Sequence, residues 1–184
     1  MNNKTKKLTY AATLLAICIV SQLFKNMSVY ITGPIINACI ILCVLTAGLY
    51  WSIVISLVTP ITSYFITGSP IISAIPMIMP CIMIGNVLMA ISIYVCMNKI
   101  TWEIGLPVGM GAGCILKSLF MGVVISGMII PNLLPASAMA EKLVPKMTVF
   151  QTTFSITQLI TAVIGSVLAY VIWIPLKKSL NEAQ

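Results

Sequence analysis

The sequence is poor in charge and lacks most side chains that perform acid–base or metal chemistry. Only 7% of its 184 residues are charged, histidine is absent, and the only acids are Glu103, Glu141 and Glu182. A proton relay inside a membrane requires buried Asp, Glu or His, and a metal site requires a cluster of such ligands. We therefore expect no enzymatic activity, no metal centre and no bound cofactor.

Cysteine and lysine patterns exclude two further classes. The six cysteines are scattered within apolar runs, without a Cys-x-x-Cys pair, so we interpret them as small packing residues. The net charge of +7 comes entirely from lysines, and these cluster only in the two tails. This pattern indicates membrane orientation rather than nucleic-acid binding.

Apolar residues dominate what remains. Sixty per cent of the residues are hydrophobic and the mean hydropathy is +1.11, which leaves too few polar side chains to cover a soluble domain. The apolar runs predict an all-α integral membrane protein, one domain over 1–184, folded as a compact bundle of six transmembrane helices. Their approximate bounds are 8–24, 33–47, 52–66, 77–97, 105–130 and 147–175.

Lysine placement predicts the orientation of this bundle. An even number of spans puts both termini on one side, where six lysines would lie: Lys4, Lys6, Lys7, Lys99, Lys177 and Lys178. The opposite side would hold Lys25, Lys142 and Lys146. Because cytoplasmic segments carry the excess of Lys and Arg, we expect both termini in the cytoplasm.

The fifth predicted span carries one charged side chain, Lys117, near its middle. A cation at that depth costs at least about 2.5 kcal/mol and normally faces a protein interior or a cavity. Gly105, Gly109 and Gly113 share its helix face and should let a neighbouring helix approach closely. Lys117 either meets an anionic or carbonyl group of a ligand, or snorkels or donates to backbone carbonyls of a neighbouring helix.

The sixth predicted span is polar only in its outer half. Gln151, Ser155 and Gln158 fall at i, i+4 and i+7, which predicts a stripe along one face. Together with Asn86 and Lys117, this stripe predicts a pocket open to the outside and walled by helices four to six, with Lys117 at or beneath its floor. The alternative is that the Thr and Ser hydroxyls bond backbone carbonyls of their own helix and the Gln residues only join helices.

The first predicted span carries Ala12 and Ala16 four residues apart, next to Ala11. Such a small-x-x-x-small face permits close helix approach. It serves either a partner protein or ordinary packing within the bundle.

Taken together, these features resemble the substrate-binding S components of energy-coupling factor (ECF) vitamin transporters. The likeness covers nearly the whole chain: six spans, a lysine-rich start and Ala-x-x-x-Ala in the first span. Further segments that resemble the family are GPIINA at 33–38, IGN at 84–86, Lys117, and QLIT at 158–161 followed by Gly165.

The resemblance implies a subunit in the bacterial cytoplasmic membrane that binds a vitamin or related micronutrient from outside. It would work with a membrane coupling subunit, docked on Ala12 and Ala16, and a pair of ATP-binding-cassette ATPases. The sequence contains no P-loop pattern, so ATP dependence would come from these partners. Tyr30 is an aromatic side chain available to a flat ligand.

Two other classes remain open at this level. A small secondary transporter or channel usually shows an internal repeat and a carboxylate within a span, and neither is evident here. A membrane assembly protein without transport activity would use the polar half of the sixth span only to join helices.

Overall fold

The chain folds into helices that pack side by side. The computed structural model describes residues 3–24, 28–100 and 102–182; within these ranges there is no strand, and most residues are helical. The all-α prediction is confirmed for this part of the chain. In chain order the α-helices are α1 (Asn3–Gln22), α2 (Val29–Thr46), α3 (Leu49–Thr67), α4 (Pro70–Ala74), α5 (Ile78–Lys99), α6 (Trp102–Met121), α7 (Ile130–Leu133), α8 (Ala140–Leu143), α9 (Met147–Phe154) and α10 (Ile156–Glu182).

Five helical segments of the described chain are long and apolar enough to cross a membrane. They are Val29–Thr46, Leu49–Thr67, Ile78–Lys99, Ile104–Leu133 and Ala140–Leu180. The remaining long helix, α1, is less apolar because lysines occupy its first turns.

Helix α2 lies at the centre of the bundle. It contacts α1, α3, α5 and α10, and 56% of its residues are buried, a larger share than in any of the other four segments. This burial explains why its sequence is apolar on all sides, since every face of a central helix meets protein. A polar residue on α2 is therefore presented to the interior.

Two clusters of buried apolar side chains stabilise the bundle, one at each end. The first joins α1, α2, α3, α5, α6 and α10 around Ile40, Ile41 and Met89. The second joins α4, the start of α5, the segment after α6 and α9 around Ile78, Ile125 and Phe154.

The second helix begins at Val29 and not at Gly33-Pro34 as predicted. The reason is local: the Ser28 side chain caps the helix by accepting a hydrogen bond from the Tyr30 N–H at 3.2 Å. Pro34 consequently lies inside the helix, where the carbonyl deprived of its partner belongs to Tyr30, close to the helix start.

The two longest connections between the predicted spans, 67–76 and 131–146, contain short helices. Helix α4 lies in the first; helices α7 and α8 and the 3₁₀ turn Val144–Lys146 lie in the second. Both segments pack on the second cluster through Ile71, Ile72 and Leu143.

The last two predicted spans are not continuous α-helices. Between α6 and α7 the backbone forms a π-helical segment, Gly122–Ile129. Between α9 and α10 the helix breaks at Ser155, whose backbone angles are φ −116° and ψ −89°.

Candidate functional site

A cavity of about 320 Å³ lies within the bundle near the end where α2 begins and α3 ends. Both are the ends that the prediction assigns to the outside. Residues from α2, α3, α4, α5, α6, α9 and α10 line it: Val29, Thr32, Gly33, Ile36, Asn37, Thr59, Pro60, Ser63, Ser69, Ile71, Ile72, Ile82, Asn86, Lys117, Val149, Phe150, Thr153, Phe154 and Gln158.

Lys117 and Asn37 form a buried pair on this cavity. The side chains are only 3% and 1% exposed, and the Lys117 Nζ donates a hydrogen bond to the Asn37 Oδ1 at 2.6 Å. Lys117 therefore bonds a side chain of α2, and neither snorkels nor pairs with a backbone carbonyl among the described residues.

The glycines of α6 position Lys117. A Cβ atom on Gly109 would lie 2.9 Å from the Ile93 Cα, and one on Gly113 would lie 3.0 Å from the Met89 Cγ. These distances confirm the predicted close approach, and they identify the neighbour as α5. Lys117 continues the same face one turn later, so its stem passes over α5 toward the cavity.

Helix α10 approaches α2 equally closely. A Cβ atom on Gly165 would lie 2.6 Å from the Asn37 Cβ and 2.7 Å from the Pro34 carbonyl oxygen. One on Gly33 would lie 2.9 Å from the Thr161 Cβ. These two glycines set the position of Asn37 relative to α10 and to Gln158 on it.

Asn86 and Gln158 add two amides to the cavity wall. Asn86 is buried, and its side chain makes no hydrogen bond within the described residues. The Gln158 Nε2 lies 3.4 Å from the Thr153 carbonyl oxygen, longer than an ordinary N–H···O bond. Both amides thus retain hydrogen-bonding capacity toward the cavity.

Gln151 and Ser155, predicted on the same stripe, do not line the cavity. The Gln151 Nε2 donates to the Ser126 carbonyl at 3.1 Å, and the Ser126 Oγ donates to the Gln151 carbonyl at 2.8 Å. The Ser155 Oγ donates to the Gln151 carbonyl at 2.6 Å. The continuous stripe fails because the helix breaks at Ser155. Gln151 joins two helical segments, whereas the Ser155 hydroxyl bonds a carbonyl four residues earlier in its own segment.

Tyr30 lies outside the cavity. Its side chain is 54% exposed on an open groove of about 480 Å³, between the start of α2 and helices α9 and α10. Val29, Val149 and Thr153 line both the groove and the cavity, so the groove is a neighbour of the cavity.

The sequence-based prediction omitted the walls that α2 and α3 provide. Asn37, Thr32, Thr59 and Ser63 all line the cavity. The signal for Asn37 was available: it is the only amide within the apolar run of α2. For α3, the available signal was Pro60, which lies inside the helix beside Thr59.

Two hydrogen bonds connect the end of α1 to this wall. The Gln22 Nε2 donates to the Thr59 carbonyl at 3.0 Å, and the Thr32 Oγ1 donates to the Ser21 carbonyl at 3.0 Å. Gln22 is fully buried. The cavity wall and α1 are therefore bonded directly, in addition to the chain connection between α1 and α2.

Ala12 and Ala16 are exposed on α1, whereas the adjacent Ala11 is buried. Thr9 and Thr13 flank them, and each hydroxyl donates to the carbonyl four residues earlier in α1. The small-residue face formed by Ala12 and Ala16 is therefore on the surface of the described chain, and ordinary packing within the bundle involves Ala11 instead.

The described residues contain no group of three or more His, Cys, Asp or Glu placed to hold a metal ion. All six cysteines are free thiols. The Cys114 Sγ and the Ser166 Oγ lie 3.2 Å apart between α6 and α10, a packing contact away from the cavity.

No protein-family model matches the chain, and neither a curated protein nor a solved structure matches it significantly.

Proposed function

We propose that this chain is the substrate-binding subunit of an ATP-driven importer of the ECF type. It would capture a vitamin or related micronutrient from outside and release it inward together with a membrane coupling subunit and two ATPases. The ATPases would hydrolyse ATP, since this sequence has no P-loop pattern.

The cavity carries the proposal. It combines apolar walls with a few convergent polar groups, namely Lys117, Asn37, Asn86 and Gln158. This is the composition of sites that bind small molecules. A protein that used these polar groups only to join helices would pair them with one another, yet the Asn86 amide makes no side-chain hydrogen bond in the described residues.

The proposal includes six membrane spans with both termini in the cytoplasm, α1 being the additional span. Helix α1 has 20 residues, about 30 Å at 1.5 Å per residue. It contributes Ala11 and Cys18 to the buried cluster of the bundle. In this orientation the lysines of both tails are cytoplasmic; Lys25, assigned to the outer side, lies outside the described residues.

The exposed face formed by Ala12 and Ala16 supports a docking role for α1. Small side chains let another helix approach closely within a membrane. A coupling subunit would use this face, which lies on the outside of the bundle, without closing the cavity.

Native mass spectrometry of the detergent-purified protein tests the proposal. The protein is measured alone and then with a panel of vitamins and their precursors, and we expect one member to add its mass at micromolar concentration or below. We expect Gln158→Ala to weaken this binding by about tenfold, since it removes one hydrogen-bonding group from the cavity wall.

Gln151→Ala is the matched control. Because its amide bonds Ser126 and not the cavity, we expect unchanged affinity and a loss of about 1–2 kcal/mol in stability. If no panel member binds the folded protein, the assembly-protein alternative is preferred. Uptake into vesicles without ATP or partners would instead favour a secondary transporter.

A further inference from the structure

We infer that the ligand of this cavity is a small monoanion: one carboxylate, or one singly charged phosphoryl group, on a largely apolar body. Its negative group would bind Lys117 and Asn37 together. This inference rests on the proposed function and names the chemical class of the substrate.

The first observation is that Lys117 lacks a counter-ion. An ammonium group has three N–H donors, and Lys117 uses one of them, on the neutral Asn37 amide. Lys117 has no ion pair among the residues whose side chains the structure describes, 4–24, 28–100 and 104–180. Buried charges in proteins are normally paired, and here the position open to a partner is the cavity that Lys117 lines.

The second observation is the orientation of Asn37. Lysine only donates hydrogen bonds, so the atom it contacts must be the amide oxygen. The Asn37 Nδ2 is therefore a donor placed beside the ammonium group, and it makes no hydrogen bond in the described residues. An ammonium and an amide N–H side by side match the two oxygens of a carboxylate.

The third observation concerns the rest of the wall. No acidic residue and no second cation line the cavity among the described residues. The remaining surface is mainly apolar, with Ile36, Ile71, Ile72, Ile82, Phe150 and Phe154. One cation balances one negative charge, and apolar walls require an apolar body.

The volume limits the size of this ligand. At about 320 Å³ the cavity lies near the lower end of the roughly 300–1,000 Å³ found for small-molecule sites. Asn86 and Gln158 line the same space and are available to polar groups on the body of the ligand.

The test uses vitamin acids and their uncharged counterparts as matched probes: biotin and biotinamide, lipoate and lipoamide, nicotinate and nicotinamide, pantothenate and panthenol. Each is titrated by native mass spectrometry against the wild type, Lys117→Met and Lys117→Arg. For any pair that binds, we expect the acid to bind at least about tenfold more tightly than its neutral counterpart, as charged hydrogen bonds exceed neutral ones.

We expect Lys117→Met to abolish this preference and Lys117→Arg to retain part of it. Thermal unfolding without ligand provides the structural control. Since Lys117→Met removes a buried charge, the variant should unfold no earlier than the wild type, whereas a purely structural lysine would make it unfold earlier.

Each contrary result has a distinct meaning. A neutral probe that binds as tightly as its acid, or a preference that persists in Lys117→Met, overturns the monoanion inference while the proposed function stands. Absence of binding by every probe, acid and neutral, to folded wild-type protein counts against the proposed function itself.

Discussion

Single residues determine where the polar groups of this protein lie. Lys117 reaches the cavity because glycines on the same face of α6 let α5 approach, and Asn37 is fixed by the contact of Gly165 with α2. In an interior packed as densely as a crystal, one additional methyl group at such a contact requires backbone movement.

Gly165→Ala tests this dependence. The new Cβ would lie 2.6 Å from the Asn37 Cβ and 2.7 Å from the Pro34 carbonyl, and the Pro34 carbonyl belongs to backbone that cannot rotate away. We expect a loss of about 1–3 kcal/mol in stability, measured by thermal unfolding in detergent. Weaker ligand binding should accompany it, because α2 carries Asn37.

Gly111→Ala is the control on α6. A Cβ there meets nothing within 4 Å, and alanine favours a helix over glycine by about 0.5–1 kcal/mol. We expect unchanged or higher stability. Equal effects of the two substitutions would contradict the packing argument.

The sequence was sufficient to predict part of the site. A charge or amide in an apolar run is rare and expensive, so Lys117, Asn86 and Gln158 were identified as facing the interior, and all three line the cavity. Gln151 and Ser155 were assigned to the same wall, since an unbroken helix would align them. Nothing in the residue pattern showed that the helix breaks at Ser155.

At the scale of helices, the two irregular segments stabilise each other. The π-helical segment Gly122–Ile129 and the break at Ser155 both free backbone groups, which must be paired in a membrane. Ser126 and Gln151 pair them reciprocally. These contacts are between distant parts of the sequence, which is why hydrophobic periodicity predicted the spans but not their interruptions.

At this scale, the prediction that can be tested is that α1 crosses the membrane. Its lysines reduce its hydropathy, but its length and its contacts with α2 and α3 fit a first membrane span. We expect green fluorescent protein fused to either terminus to fluoresce, since both termini would be cytoplasmic.

Alkaline phosphatase inserted after Gly68 should be active, as that connection would lie outside. One fluorescent and one dark terminal fusion would indicate an odd number of spans and would remove α1 from the membrane.

At the scale of the whole molecule, the cavity and the face formed by Ala12 and Ala16 are separate surfaces. No residue of α1 lines the cavity among the described residues, and the alanine face is exposed on α1. A binding subunit of an importer requires such separation, because ligand and partner must be held at once.

Ala16→Leu tests the separation. Position 16 is exposed and does not line the cavity, so we expect unchanged ligand affinity by native mass spectrometry. Uptake by cells that supply the coupling partners should fall by at least about tenfold, since bulky side chains disrupt small-residue contacts between membrane helices.

Val171→Leu, at an exposed position on α10, is the control and should leave uptake unchanged. Normal uptake by Ala16→Leu would show that the partner docks elsewhere.

The hydrogen bonds from Gln22 to the Thr59 carbonyl and from Thr32 to the Ser21 carbonyl have a mechanical consequence. They bond the end of α1 to the cavity wall at two points. A tilt or translation of α1 must either break these hydrogen bonds or move α2 and α3 with it. A force applied to the outside of this helix is thus transmitted to the space inside the bundle.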